Sequence, residues 1–187
     1  MKIIAVRHTS VDVADGICYG QSDVATASTF EKEKEMVVQK LMQEQYQAVY
    51  SSPLSRCRKL AGFVAKGNPI IYDARLMELN FGKWEGCRWD DIYNSEESQR
   101  WFDDWVNTPC PGGESNSQLV ARVEDFLQQV TPQHSDETIL VVTHGGVVRA
   151  LISLLSNIEL QKTFEIQVDF GSVVKLETIC SPTDYTG

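Results

Sequence analysis

Five residues of this 187-residue chain have the types and the spacing to act on an anion. "AVRHTS" places Arg7 and His8 directly after a short apolar run, Ile3 to Val6. "AVYSSPLSRC" leaves a second such run at Ser51 and brings in Arg56. "LVVTHGGVVR" leaves a third at Thr143 and supplies His144, with Gly145 and Gly146 opening a helix. A guanidinium offers a planar, two-pronged donor to a phosphate. An opening Gly-Gly turn leaves N–H groups free at the positive end of the helix dipole. A neutral imidazole carries a nucleophilic nitrogen. Transfer of a phosphoryl group through that nitrogen needs a further group to protonate the departing oxygen. Glu78 in "ARLMELNFGKWEG" is the candidate, flanked by Leu76, Met77 and Leu79. Apolar company of this kind lets a carboxylic acid hold its proton. Taken singly, none of these residues is more than a polar strand end or a loop glutamate. His134, the third histidine, lies in the polar stretch "PQHSDE" and reads as solvated.

The elements around them must bring the five together. Ile3 to Val6, "AVYSS", "IIYD" and "TILVV" read as strands, the last one buried on both faces. Ser28 with Glu31 reads as a capping box, followed by Phe30, Val37 and Leu41 on one helix face. Ser52 reads as the cap of a second helix, with Pro53 at its first position. Ser115 and Gln118 suggest another capping box, before Leu119, Val123, Phe126, Leu127 and Val130 at helical spacing. "GGVVRALISLLS" is apolar nearly all round and so reads as a buried helix. "IQVDFGSVVKLET" reads as two strands of an edge hairpin. The alternation predicts an α/β fold: a three-layer α/β/α sandwich on a mostly parallel sheet, with residues 84–113 as a small helical cap insertion. In such sheets ligands bind at the carboxyl ends of the strands, where Arg7, His8, Arg56 and His144 would meet.

The length suits a single domain over residues 1–187. A formal net charge of −9 disfavours nucleic acid and anionic membranes as partners and requires positive charge to be concentrated locally if the ligand is an anion. No apolar run is long enough to span a bilayer, and the N-terminal one is too short for a signal peptide, so a cytoplasmic protein is expected. The five cysteines are odd in number and form no C-x-x-C, which favours reduced thiols over disulfides or zinc. The histidines lack the tight spacing of metal ligands and lie beside arginines that would repel a cation, so no metal and no cofactor are expected.

Four segments, in order, resemble the histidine phosphatase superfamily, also called phosphoglycerate mutase-like. "VRHTS" resembles its R-H opening, "SSPLSRC" its S-S-P-L-x-R-A segment, "MELNFGKWEG" its E-x-x-F-G-x-W-E-G segment, and "VTHGGVVRAL" its T-H-G-G-V-I-R-A-L segment. The resemblance implies that His8 is the phosphoryl-accepting nucleophile, that Arg7, Arg56 and His144 clamp the phosphate oxygens, and that Glu78 is proton donor and then base. It also implies a small phosphate monoester as substrate and no metal. The sequence departs from the usual pattern in carrying Thr9 and Ser10 where Gly-Glu is common, and Ala14 where many members have a phosphate-binding Asn. Gln21 in "CYGQSD", Thr9 and the Gly145 amide are the candidate replacements. Within the superfamily, "VRHTSVD…GICYGQSDV" and "GKWEGCRWDDI" look most like the α-ribazole-5′-phosphate phosphatases of cobalamin biosynthesis; a phosphoglycerate mutase, a broad sugar-phosphate phosphatase and a non-catalytic phosphate-binding protein are the alternatives. Trp84, Trp89, Trp101 and Trp105 all fall between Glu78 and Gly113, either as the core of the cap or as a stacking surface for a flat base. Oligomeric state is not legible in the sequence.

Overall fold

The computed structural model describes residues 1–178. Its centre is a five-stranded sheet of β1 (Lys2–Arg7), β2 (Ala48–Ser51), β3 (Ile70–Tyr72), β4 (Thr138–Thr143) and β5 (Val173–Glu177), in the order β3-β2-β4-β1-β5. The β1–β4, β4–β2 and β2–β3 pairs are parallel, and β5 pairs antiparallel with β1. The helices are α1 (Phe30–Lys40), α2 (Ser55–Val64), α3 (Trp89–Tyr93), α4 (Glu96–Asp103), α5 (Asn116–Val130), α6 (Gly145–Ser156) and α7 (Leu160–Thr163).

Side-chain alternation along the central strands divides the core in two. Ile3, Ala5, Ile139 and Val141 pack with Leu119, Val123 and Phe126 of α5 and Val147, Val148 and Leu151 of α6. Ile4, Val6, Leu140 and Val142 pack on the opposite face with Phe30 and Val37 of α1 and Cys57, Leu60 and Ala61 of α2. A strand with side chains on both faces buried needs apolar residues at every position, which is what "TILVV" supplies. The result is the three-layer α/β/α sandwich that the alternating pattern predicts.

The local expectations divide by whether their partners are close in sequence. The Ser115–Gln118 capping box forms in both directions, and α6 begins at Gly145 and ends in a left-handed Asn157. The box at Ser28 and Glu31 does not form. Helix α1 starts one residue later, from Thr29, and Glu33 takes the hydrogen bonds of the Thr29 hydroxyl and the Ser10 N–H. Ser52 does not cap α2 either. That helix starts from Leu54, leaving Pro53 outside it, and the Ser52 hydroxyl accepts instead from the Leu54 N–H at 3.3 Å and from His144 at 2.8 Å. His134 is half-buried rather than freely solvated, with Nε2 2.9 Å from the Tyr50 hydroxyl and Nδ1 2.5 Å from Glu137.

The edge hairpin is also absent. Only Val173–Glu177 is a strand; residues 166–171 run as an irregular strap across the end of β1. Gly171, at φ +66°, donates its N–H to the Arg7 and His8 carbonyls at 3.2 and 3.0 Å, and Val168 O accepts from Arg7 Nη1 at 2.6 Å. A left-handed glycine in mid-segment is incompatible with a continuous strand. In exchange it lets the strap close over Arg7.

Candidate active site

Parallel pairing sets the strand ends level, Arg7 opposite Thr143 and Ser51 opposite Val142, so the residues that follow them converge. His8 is almost fully buried, and its ring lies 5.1 Å from that of His144 and 5.4 Å from Phe170. Its Nδ1 is 2.6 Å from the Thr9 carbonyl oxygen. A carbonyl can only accept, which places the ring proton on Nδ1 and leaves the Nε2 lone pair free. Arg7 packs its guanidinium 3.9 Å above the Phe170 ring and keeps an unpartnered Nε.

Arg56 is fully buried, and all of its nitrogens are engaged. Nη2 donates to Gly20 O at 2.7 Å, Nη1 to Ser22 O at 2.8 Å, and Nε to His144 Nδ1 at 3.3 Å. Because that imidazole nitrogen accepts, His144 carries its proton on Nε2 and donates it to Ser52 Oγ. Glu78 approaches from the far side of the α6 N-terminus. Its carboxylate accepts from the Gly146 N–H at 3.2 Å and the Leu79 N–H at 3.0 Å. A Cβ on Gly146 would lie 2.4 Å from Glu78 Oε1, so this carboxylate–helix contact requires glycine there. The Glu78 backbone oxygen is itself pinned by Arg122 at 2.9 Å and Gln21 at 3.0 Å.

The structure therefore brings Arg7, His8, Arg56 and His144 into one cluster and sets Glu78 across Gly145 and Gly146 from it. Gly145 sits against Arg7, with its Cβ direction 3.5 Å from the guanidinium carbon. Thr9 is fully buried beside His8, with an unpartnered hydroxyl. Gln21 departs from its expected place: its amide bonds the Glu78 carbonyl, so it holds the carboxylate's backbone. Ser52 was read only as a helix cap, and Arg122 and the 168–171 strap are parts of the site that motif reading does not single out. Arg149 is another, bonded at 3.3 Å to Gly145 O and 3.4 Å to Ile166 O. Of these, only the "FGS" turn carried a local signal. Among the described residues, no group of three or more His, Cys, Asp and Glu side chains is arranged to hold a metal.

A largely buried cluster of two imidazoles and two guanidiniums at a sheet edge, with a carboxylate across a helix N-terminus, has the chemistry to hold a phosphate. The model of the histidine phosphatase superfamily (branch 1) matches residues 3–181. This chain belongs to that superfamily. Phosphoserine phosphatase 1 of Hydrogenobacter thermophilus is 29% identical to this histidine phosphatase over 92% of this chain and 84% of its own. The metal-independent phosphoserine phosphatase of Arabidopsis thaliana is 32% identical over 80% of this chain and 66% of its own. Among solved structures, the alpha-ribazole phosphatase from Shigella flexneri superposes with a TM-score of 0.86 at 24% identity, covering 95% of this chain and 90% of that one. At that identity the likeness is one of fold. The family and its phosphatase relatives make this chain a hydrolase of phosphate monoesters.

Burial of the two histidines has a consequence for stability. Desolvation, then Arg56 and Arg7, push the His8 pKa down to about 3 against the opposing Thr9 hydrogen bond. Desolvation, then His8 and Arg56, hold His144 well below the ordinary histidine value. Both rings are neutral at neutral pH. The unfolded chain takes up these protons near pH 6.5 and the folded phosphatase does not, so the unfolded state gains protons first. Stability is whole above about pH 6.5 and falls toward pH 3 by about 1.4 kcal/mol per pH unit for His8, with His144 adding a loss in the same direction. Urea midpoints measured between about pH 6.5 and pH 5, above the main carboxylate range, should therefore fall with pH, and less steeply in His8→Gln. An unchanged slope in that variant would show that His8 does not resist protonation.

Proposed function

We propose that this chain is a metal-independent phosphomonoesterase that forms a phosphohistidine on His8 and hydrolyses α-ribazole 5′-phosphate to α-ribazole, a step of cobalamin biosynthesis. His8 Nε2 attacks the phosphorus while Arg7, Arg56, His144 and the Gly145 amide hold the equatorial oxygens. Glu78 delivers a proton to the departing ester oxygen, so the alcohol leaves neutral. The Thr9 carbonyl, already bonded to Nδ1–H, stabilises the positive charge that phosphorylation places on the ring. Glu78, now a carboxylate, removes a proton from water as that water attacks phosphorus and breaks the N–P bond. Inorganic phosphate departs and neutral His8 is restored. Fixed charge and positioning supply most of the rate enhancement in such transfers.

The substrate reading is carried by one cavity of about 450 Å³ that adjoins the cluster. Trp89, Trp101, Phe102, Trp105 and Phe164 line it together with Arg7, Glu78, Gly145 and Gly146. A flat, apolar leaving group such as a ribosylated benzimidazole covers those aromatic faces, where an offset or edge-on ring contact is worth about 0.5–1.5 kcal/mol beyond the area buried. A serine leaving group does not. A second reading, phosphoserine phosphatase or phosphoglycerate mutase, is favoured by Arg149, which lines the same cavity with long carbonyl contacts and an unpartnered Nε. Metal-free assays on α-ribazole phosphate, phosphoserine and 3-phosphoglycerate separate the two. The highest kcat/KM is expected on α-ribazole phosphate, and Leu replacement of Trp89, Trp101 or Trp105 is expected to raise its KM by up to about 10-fold. Preference for phosphoserine, net isomerisation of 3-phosphoglycerate, or unchanged KM in all three variants would move the assignment to the second reading.

A further inference from the structure

The Arg56 guanidinium is fully buried, yet the groups it bonds are two backbone carbonyls and an imidazole. Its negative counterpart lies one layer away. The Glu85 carboxylate accepts from Gln21 N at 2.8 Å, from Ser22 N at 2.6 Å, from Ser22 Oγ at 2.5 Å and from Phe81 N at 3.2 Å. The Gly20–Gln21 peptide thus gives its N–H to Glu85 and its C=O to Arg56. Ser22 gives its N–H to Glu85 and its carbonyl, on the following peptide, to Arg56. Peptide groups bridging an anion and a cation are polarised in the direction that strengthens both bonds. The loop passes so close that a Cβ on Gly20 would lie 2.5 Å from both Glu85 Oε1 and Leu79 O, and Gly20 has φ +29°. Between the two bridging residues, the Gln21 side chain reaches the Glu78 carbonyl.

We infer that Glu85 is a positioning residue of the phosphatase: it fixes the Gly20–Ser22 loop, whose carbonyls orient Arg56 and, through Arg56 Nε, His144, while Gln21 of the same loop fixes Glu78. The inference rests on the phosphohistidine reading of the cluster but is independent of the leaving group. One carboxylate then sets the phosphate clamp and the proton donor in register with each other. It does so without touching substrate.

A double-mutant cycle on p-nitrophenyl phosphate tests it. Glu85→Gln keeps the shape but replaces an acceptor oxygen by an NH₂ group facing N–H donors. It is expected to lower kcat/KM roughly 10- to 100-fold, the scale of a small misplacement of catalytic groups. Lys cannot hold both loop carbonyls as the Arg fork does. In an Arg56→Lys background, Glu85→Gln should therefore cost several-fold less than in the wild type, since the path through Arg56 is broken and only the one through Gln21 to Glu78 is left. Ser22→Ala, which removes a single hydroxyl bond, should show the same loss of effect on a smaller scale. It carries the test if Glu85→Gln does not fold. Full, multiplicative losses in the Arg56→Lys background, or wild-type kcat/KM in Glu85→Gln, would overturn the inference. His8→Ala as a parallel control reads the phosphohistidine proposal separately.

Discussion

His8→Ala is expected to lower kcat/KM on every phosphate monoester by about 10⁴-fold or more, the scale at which removal of an activated nucleophile acts. The fold itself should survive, because the His8 ring belongs to neither of the two apolar clusters of the core. The physical basis is the tautomer. The Thr9 carbonyl holds the ring proton on Nδ1 at 2.6 Å, and desolvation with two guanidiniums nearby keeps Nε2 unprotonated. No activation step by a separate base is needed. Steady-state kinetics on p-nitrophenyl phosphate check this directly. Activity within about 10-fold of wild type would mean that another group, or water, attacks the phosphorus.

Glu78→Gln is expected to separate leaving groups. On an alkyl ester such as α-ribazole phosphate, whose alkoxide leaves poorly, turnover should fall about 10²- to 10⁴-fold. On p-nitrophenyl phosphate the phenolate leaves without a proton, so His8 should still be phosphorylated. Water attack then lacks its base, and product should appear as a burst of about one equivalent followed by slow turnover. Stopped-flow absorbance resolves the burst. Equal losses on both substrates with no burst would show that Glu78 handles no proton. The placement behind this prediction is specific: the carboxylate rests on the Gly146 N–H, at the helix N-terminus where the phosphate is expected to bind.

The fold and the convergence of Arg7, His8, Arg56 and His144 were legible because their signals are local or repeat along the chain. Continuous apolar strands that end in Arg-His, Ser-Ser and Thr-His must place those residues on one edge once the strands run parallel. The reciprocal Ser115–Gln118 cap needs only four residues to form. The errors share one cause, competition from distant partners. Ser52 bonds the Leu54 N–H and His144, 92 residues away, rather than a helix N–H. Glu33, rather than Glu31, anchors the start of α1 because it also takes the Ser10 N–H. Gln21, expected to supply a phosphate donor, faces the Glu78 carbonyl, 57 residues on. The supposed hairpin strand is a strap because Arg7 and His8 offer it two carbonyls and a guanidinium. Its sequence is apolar enough to be a strand, and only the Gly171 turn speaks against that. Glu85, inside a motif quoted for its resemblance, meets the Ser22 and Gln21 N–H groups, 63 and 64 residues back, only once the fold brings their loop to it.

The central claim is a covalent bond between phosphorus and His8 Nε2. Rapid quenching of the working enzyme into base, followed by peptide mapping by mass spectrometry, tests it most directly. A phosphoryl group is predicted on the N-terminal peptide that contains His8, stable in base, lost in acid, and accumulating in Glu78→Gln with p-nitrophenyl phosphate. Turnover with no phosphorylated peptide under those conditions, or a phosphoryl group on any residue other than His8, would contradict it.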